Sequence, residues 1–150
     1  ATRLKLLPPC AKSRAGKARR LGCPPYREMD MKYYPAIVRD ISRNLKTLRE
    51  DEPEVMQGFS ALSQAATAPH ALDRKTKELI ALGIAVATRC EGCIGFHTET
   101  LVRLGVSKEE FEETLGMAVY MGGGPALMYA AEALCAFQQF QALASQPRSV

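Results

Sequence analysis

The sequence predicts an all-α fold, a single-domain helical bundle of about six helices. Apolar residues recur at three- and four-residue steps through most of the chain, no stretch alternates apolar with polar as a half-buried strand would, and the breaks between periodic stretches are short. At 150 residues the chain suits one domain with a core of useful size.

Residues 1–30 lack this period and contain Pro8, Pro9, Pro24 and Pro25. They hold eight Lys or Arg against two acidic residues, whereas residues 31–150 hold twelve basic and fourteen acidic side chains. The net charge of +4 therefore comes from the leader, and no basic face for nucleic acid is expected on the body. Such a basic, proline-containing leader is expected to lie outside the core, loosely draped or disordered. Its Arg-rich, acid-poor composition superficially suits an organelle transit peptide; a secretory signal fits poorly without an apolar stretch after the charges. The preferred reading is upstream translation ahead of a natural start at Met31 or Met29, leaving residues 31–150 as the domain. Codons for Tyr26-Arg27-Glu28 can be purine-rich, like a bacterial ribosome-binding site.

Residues 32–48 place Ile37, Val38, Ile41, Leu45 and Leu48 on one face of an amphipathic helix. The charged run 49–54 ends it, and Pro53 suits the first turn of a second helix, to about residue 66, that is expected to bury Val55, Met56, Phe59 and Leu62. Thr67-Ala68-Pro69-His70 forms the next break, with His70 read as an exposed loop residue. Asp73 caps a long apolar helix carrying Glu78. Another helix runs from about residue 90 to 104 and stops at Gly105, the expected left-handed residue. Ser107 and Glu110 form a capping box for a helix to about residue 121 that buries Phe111, Leu115 and Val119. Gly122-Gly123-Gly124-Pro125 is expected to be a sharp turn. A final helix, residues 125–143, is expected to bury Leu127, Ala130, Ala131, Leu134 and Phe137, with Cys135 as a buried core thiol.

Five cysteines are an odd number, not spaced like a secreted disulfide framework, and no apolar run reaches the roughly eighteen residues needed to span a bilayer. A cytoplasmic protein that does not enter the membrane is expected. Only Cys90 and Cys93 form a close pair. With His97 they repeat at i, i+3 and i+7, which puts two thiols and an imidazole on one helical face. Eleven residues separate Glu78 from Cys90, about three turns of mostly apolar helix. A turn at Thr88-Arg89 would let the acid lie beside the thiols.

A thiol attacks only as the thiolate, and a helix N-terminus favours negative charge, so Cys90 and Cys93 should both be more acidic than a free thiol. At this spacing one sulfur can take an oxidant and the other close a disulfide on it, with Glu78 and His97 moving protons through a water. Each residue also has a plainer reading. The cysteines could be incidental to a core, His97 a hydrogen-bonded helix histidine, and Glu78 a partner for its own helix dipole. Two Cys, one His and one Glu are also acceptable zinc ligands, although structural zinc usually draws its cysteines from a knuckle.

The pattern Glu-x11-Cys-x2-Cys-x3-His, set in ELIALGIAVATRCEGCIGFHTETLVRLGVSKEEFEETLGMA, resembles the AhpD-like alkylhydroperoxidase and carboxymuconolactone decarboxylase family. The resemblance runs over residues 34–140, including the Gly-Gly-Gly-Pro run. It implies an AhpD-like fold and a thiol-dependent alkylhydroperoxidase, an antioxidant peroxidase acting on small organic hydroperoxides. It further implies Cys93 as the attacking thiol, Cys90 as the resolving one, and Glu78 with His97 as the proton relay. No metal, haem or other cofactor is implied; the reductant would be a lipoyl protein or a thioredoxin-like dithiol, and the assembly a homotrimer or homohexamer. Gly92 stands where well-studied peroxidases of the family carry a second histidine, which implies slower turnover. The CxxC pair argues against lactone decarboxylation, because the decarboxylase branch lacks it. A disulfide oxidoreductase or redox sensor of the same family is the alternative activity.

Overall fold

A computed structural model describes residues 32–146 of the chain. The expectations attached to residues 1–30 lie outside the described residues. Among those described there is no strand, and five helices follow one another: α1 (Tyr34–Asp51), α2 (Pro53–Thr67), α3 (Arg74–Ala87), α4 (Glu91–Arg103) and α5 (Lys108–Ala144). None of them is long and apolar enough to cross a membrane.

Five helices replace the expected six because the glycine run does not open into a loop. α5 continues through it, with Gly123 alone departing from helical geometry at φ 65° and ψ −155°. That conformation is close to glycine's own province, and it folds the second arm of α5 back on the first. Phe111 from one arm stacks on Phe137 from the other, ring centroids 4.5 Å apart. Pro125 falls within the first turn after the kink, where a missing N–H leaves no helical bond unmade. A Cβ at Gly122 would stand 2.6 Å from Ala126 Cβ, so the kink also needs a bare backbone there. Gly123→Ala is expected to cost about 2 kcal/mol through backbone strain alone, since nothing lies near its missing Cβ. Thermal melting would register a drop of several degrees, and an unchanged melting temperature would mean that the kink relaxes freely.

The helix ends follow local chemistry. The Asp73 carboxylate accepts the Thr76 N–H at 2.7 Å, and this bond holds its carboxyl below the usual range. Ser107 and Glu110 exchange both bonds of the capping box, at 2.9 and 3.1 Å. Gly105, at φ 71°, follows α4 as expected. Glu52 alone joins α1 to α2, so the charged run at 49–51 extends α1 instead of ending it.

The core is built from Tyr34 and Val38 of α1, Leu82 and Val86 of α3, Ile94 and Leu101 of α4, and the aromatic and alanine face of α5. α2 departs from expectation: it has no buried residue, and Val55, Phe59 and Leu62 are 65, 65 and 66% exposed. Its periodicity marked an apolar stripe correctly, but nothing among the described residues covers it. Leu127 and Ala131 likewise point outward from α5, and Cys135 is half-buried.

Candidate functional site

The turn between α3 and α4 is made by one residue in an unusual conformation. Arg89 has φ 60°, its N–H donating to Val86 O at 3.2 Å while the Cys90 N–H donates to Ala85 O at 2.9 Å. This is the paired ending that normally uses glycine, and arginine holds it at a cost of about 1 kcal/mol. Arg89→Gly is accordingly expected to raise stability by roughly 0.5–1 kcal/mol in denaturant unfolding. A loss instead would show that the arginine side chain is itself needed.

So tight a turn makes Cys90 the residue just past α3 and also the N-cap of α4. Its Sγ accepts the Cys93 N–H at 3.3 Å. Cys90 and Cys93 are joined in a disulfide, with Cα atoms 5.2 Å apart, inside the span that bridging requires. Both are half-buried, and Cys93 packs against the edge of the core. Reduced, either sulfur would face the unpaired N–H groups and positive end of α4, which stabilise a thiolate.

Glu78, buried on α3, is brought to His97 by the same turn. Its Oε2 lies 2.7 Å from His97 Nδ1, and its Oε1 lies 3.8 Å from Arg74 Nε one turn earlier. A carboxylate can only accept, so with Glu78 ionised Nδ1 carries the hydrogen and Nε2 is free to exchange a proton. His97 is on the same face of α4 as the two cysteines, one turn beyond Cys93. The turn at Thr88-Arg89 therefore produces an acid–imidazole pair on the thiol-bearing face. His70, by contrast, is exposed in the loop before α3.

A Cβ at Gly92 would come within 2.9 Å of Ile41 Cδ1 on α1, so a histidine there would have to displace Ile41. Four cavities among the described residues are lined by other side chains than Glu78, Cys90, Cys93 and His97. One apolar cavity, about 390 Å³, runs between α3 and the first arm of α5 past Leu79, Ile80, Ile84, Met117 and Met121. Among the described residues no three His, Cys, Asp or Glu side chains are grouped to hold a metal ion.

Spacing did not point to the ion network beside the CxxC. Lys32 Nζ lies 2.6 Å from Glu91 Oε1 and 2.8 Å from Glu132 Oε2 on α5. The Glu91 oxygen, shielded from solvent, makes no aligned hydrogen bond and is balanced by Lys32 as an ion pair. Glu91 sits inside the motif and was the available signal; its partners are far away in sequence.

The Carboxymuconolactone decarboxylase family profile matches residues 53–136, more than half of the chain and the span carrying all four site residues. The chain belongs to this family. A carboxymuconolactone decarboxylase family protein from Legionella pneumophila is 61% identical and superposes with a TM-score of 0.71, over 72% of this chain and 96% of that one. Another, from Thermotoga maritima, is 28% identical with a TM-score of 0.66, over 71% of this chain and 92% of its own. An uncharacterized protein from Cupriavidus necator is 37% identical over 103 residues, 69% of this chain and 91% of that protein. The carboxymuconolactone decarboxylase family includes enzymes and AhpD-like proteins, and its helical fold is the one described above.

Proposed function

We propose that this protein is a CxxC-dependent peroxidase of the AhpD-like kind, reducing small organic hydroperoxides. The reading is carried by one observation: a Cys90–Cys93 disulfide caps the helix whose next turns present His97, itself held by buried Glu78. The Cys93 thiolate attacks the terminal peroxide oxygen, the O–O bond breaks, and the alkoxide leaves as alcohol after taking a proton from the His97–Glu78 pair. Cys93, now a sulfenic acid, is attacked by Cys90, releasing water and leaving the disulfide. An external dithiol, of the lipoyl or thioredoxin-like class, returns both cysteines to thiols and becomes a disulfide itself. The Thermotoga maritima relative has been described as a candidate participant in an antioxidative response, which agrees with this chemistry.

Mass spectrometry after one equivalent of an organic hydroperoxide tests the reading. Rapid formation of the Cys90–Cys93 bridge, reversed by dithiol, with peroxide consumed in step, is the expected result. Fast disulfide exchange with no peroxide loss would favour a disulfide oxidoreductase or sensor instead.

A homotrimer or homohexamer belongs to the same proposal. It is supported by the apolar stripe on α2 that the described residues leave uncovered, since a fifteen-residue helix with no buried side chain gains little from packing against them. Exposed Ile80, Ile84, Met117 and Met121 offer a second apolar surface on α3 and α5. Phe59→Asp is expected to lower the mass measured by light scattering to that of smaller species. An unchanged mass would place the subunit contact elsewhere.

A further inference from the structure

We propose that Lys32 is a positioning residue for the redox pair: its ammonium neutralises Glu91, next to Cys90, and so favours the reduced, thiolate-bearing state of the CxxC. The proposal rests on the dithiol/disulfide reading of Cys90 and Cys93, and not on peroxide as the oxidant.

The lysine is held from several directions at once. Its Nζ bridges Glu91 on α4 and Glu132 on α5, at 2.6 and 2.8 Å, and lies 6.0 Å from the centroid of the Tyr129 ring. Its carbonyl accepts from Gln139 Nε2 at 2.9 Å, and the Oε1 of the same glutamine accepts the Tyr34 N–H at 2.8 Å. Tyr34, fully buried, donates its hydroxyl to the Glu132 oxygen that Lys32 also contacts, at 2.9 Å. Burial, reinforced by that bond to Glu132, pushes the phenol far above its ordinary range, so it remains a donor. The bond that Lys32 donates to Glu132, and then its ion pair with Glu91, likewise hold the Lys32 ammonium in its charged form.

Surface lysines are seldom fixed this thoroughly, and the consequence is electrostatic. One ammonium stands between two carboxylates, and one of these belongs to the residue that follows Cys90. On the other side of Cys90 is Arg89, whose side chain is exposed. Take Lys32 away and Glu91 becomes an uncompensated negative charge beside a sulfur that must itself become negative. The disulfide carries no charge, so it is spared that repulsion, and the pair shifts toward oxidation. Lys32 and Glu91 side chains are 46 and 40% exposed, so water screens the effect. A unit charge one residue away in such surroundings changes an equilibrium by a factor of about three.

The experiment equilibrates the full chain with glutathione buffers of graded poise: protein disulfide plus two glutathione gives protein dithiol plus glutathione disulfide. The oxidised fraction is read by thiol alkylation and mass spectrometry. Lys32→Met is expected to move the equilibrium about threefold toward disulfide. Glu91→Gln should move it by a similar factor the opposite way, and the double variant should return toward wild type. Lys32→Arg, keeping the charge, should match wild type and guards against a fold defect in the methionine variant. The proposal is overturned if Lys32→Met leaves the equilibrium unmoved, or if both single variants shift it in the same direction, as general loosening of the turn would do. Peroxide is absent throughout, so a protein that never reduces peroxide still reports on Lys32.

Discussion

Replacing Cys93 with serine is expected to abolish peroxide reduction, while Cys90→Ser is expected to allow one oxidation per chain and then no turnover. The asymmetry comes from the proposed division of labour. Without Cys93 the sulfur assigned to the attack is gone, and a serine hydroxyl is not ionised near neutrality. Without Cys90 the attack still proceeds, but the sulfenic acid finds no thiol three residues away and stalls. Both positions share the N-terminal field of α4, and Cys90 Sγ is the sulfur that accepts the Cys93 N–H. That field favours a thiolate at either position, so the roles are separated only by the single-turnover experiment. Intact mass after one equivalent of hydroperoxide should show one added oxygen in Cys90→Ser and none in Cys93→Ser. Equal loss of that first oxidation in the two variants would contradict the assignment.

What could be read without coordinates was what depends on near neighbours. The Asp73 cap, the Ser107–Glu110 box and the Gly105 stop each involve residues within a few positions, and each falls where its side-chain chemistry requires. The shared face of Cys90, Cys93 and His97 follows from helical period in the same way. Burial on α2 could not be read this way, because periodicity marks an apolar stripe at Val55, Phe59 and Leu62 without saying what covers it. The Gly122–Gly124 run was legible as a reversal but not as a kink within one helix; that depends on Phe111 meeting Phe137 across it. Arg89 gave no warning, since nothing in its side chain prefers positive φ. Lys32, which meets Glu132 a hundred residues later, lies beyond any local pattern.

Glu78→Gln is expected to slow peroxide reduction on the order of 10²-fold while leaving the fold in place. Glutamine keeps the size of the buried side chain, and its oxygen can still accept from His97 Nδ1, so packing against α4 is retained. What it loses is the charge that makes a developing imidazolium favourable and lets the imidazole pass a proton between thiol and leaving alkoxide. Glu78→Leu would instead leave His97 and Arg74 facing a buried apolar group, and is expected to cost about 1–3 kcal/mol in stability as well as activity. If the 2.7 Å contact works as one relay, His97→Asn should reproduce the kinetic loss, and the Glu78→Gln/His97→Asn double variant should be barely slower than either single one. Losses that multiply would show two independent functions, and unfolding of the glutamine variant would make the pair a structural cross-link between α3 and α4.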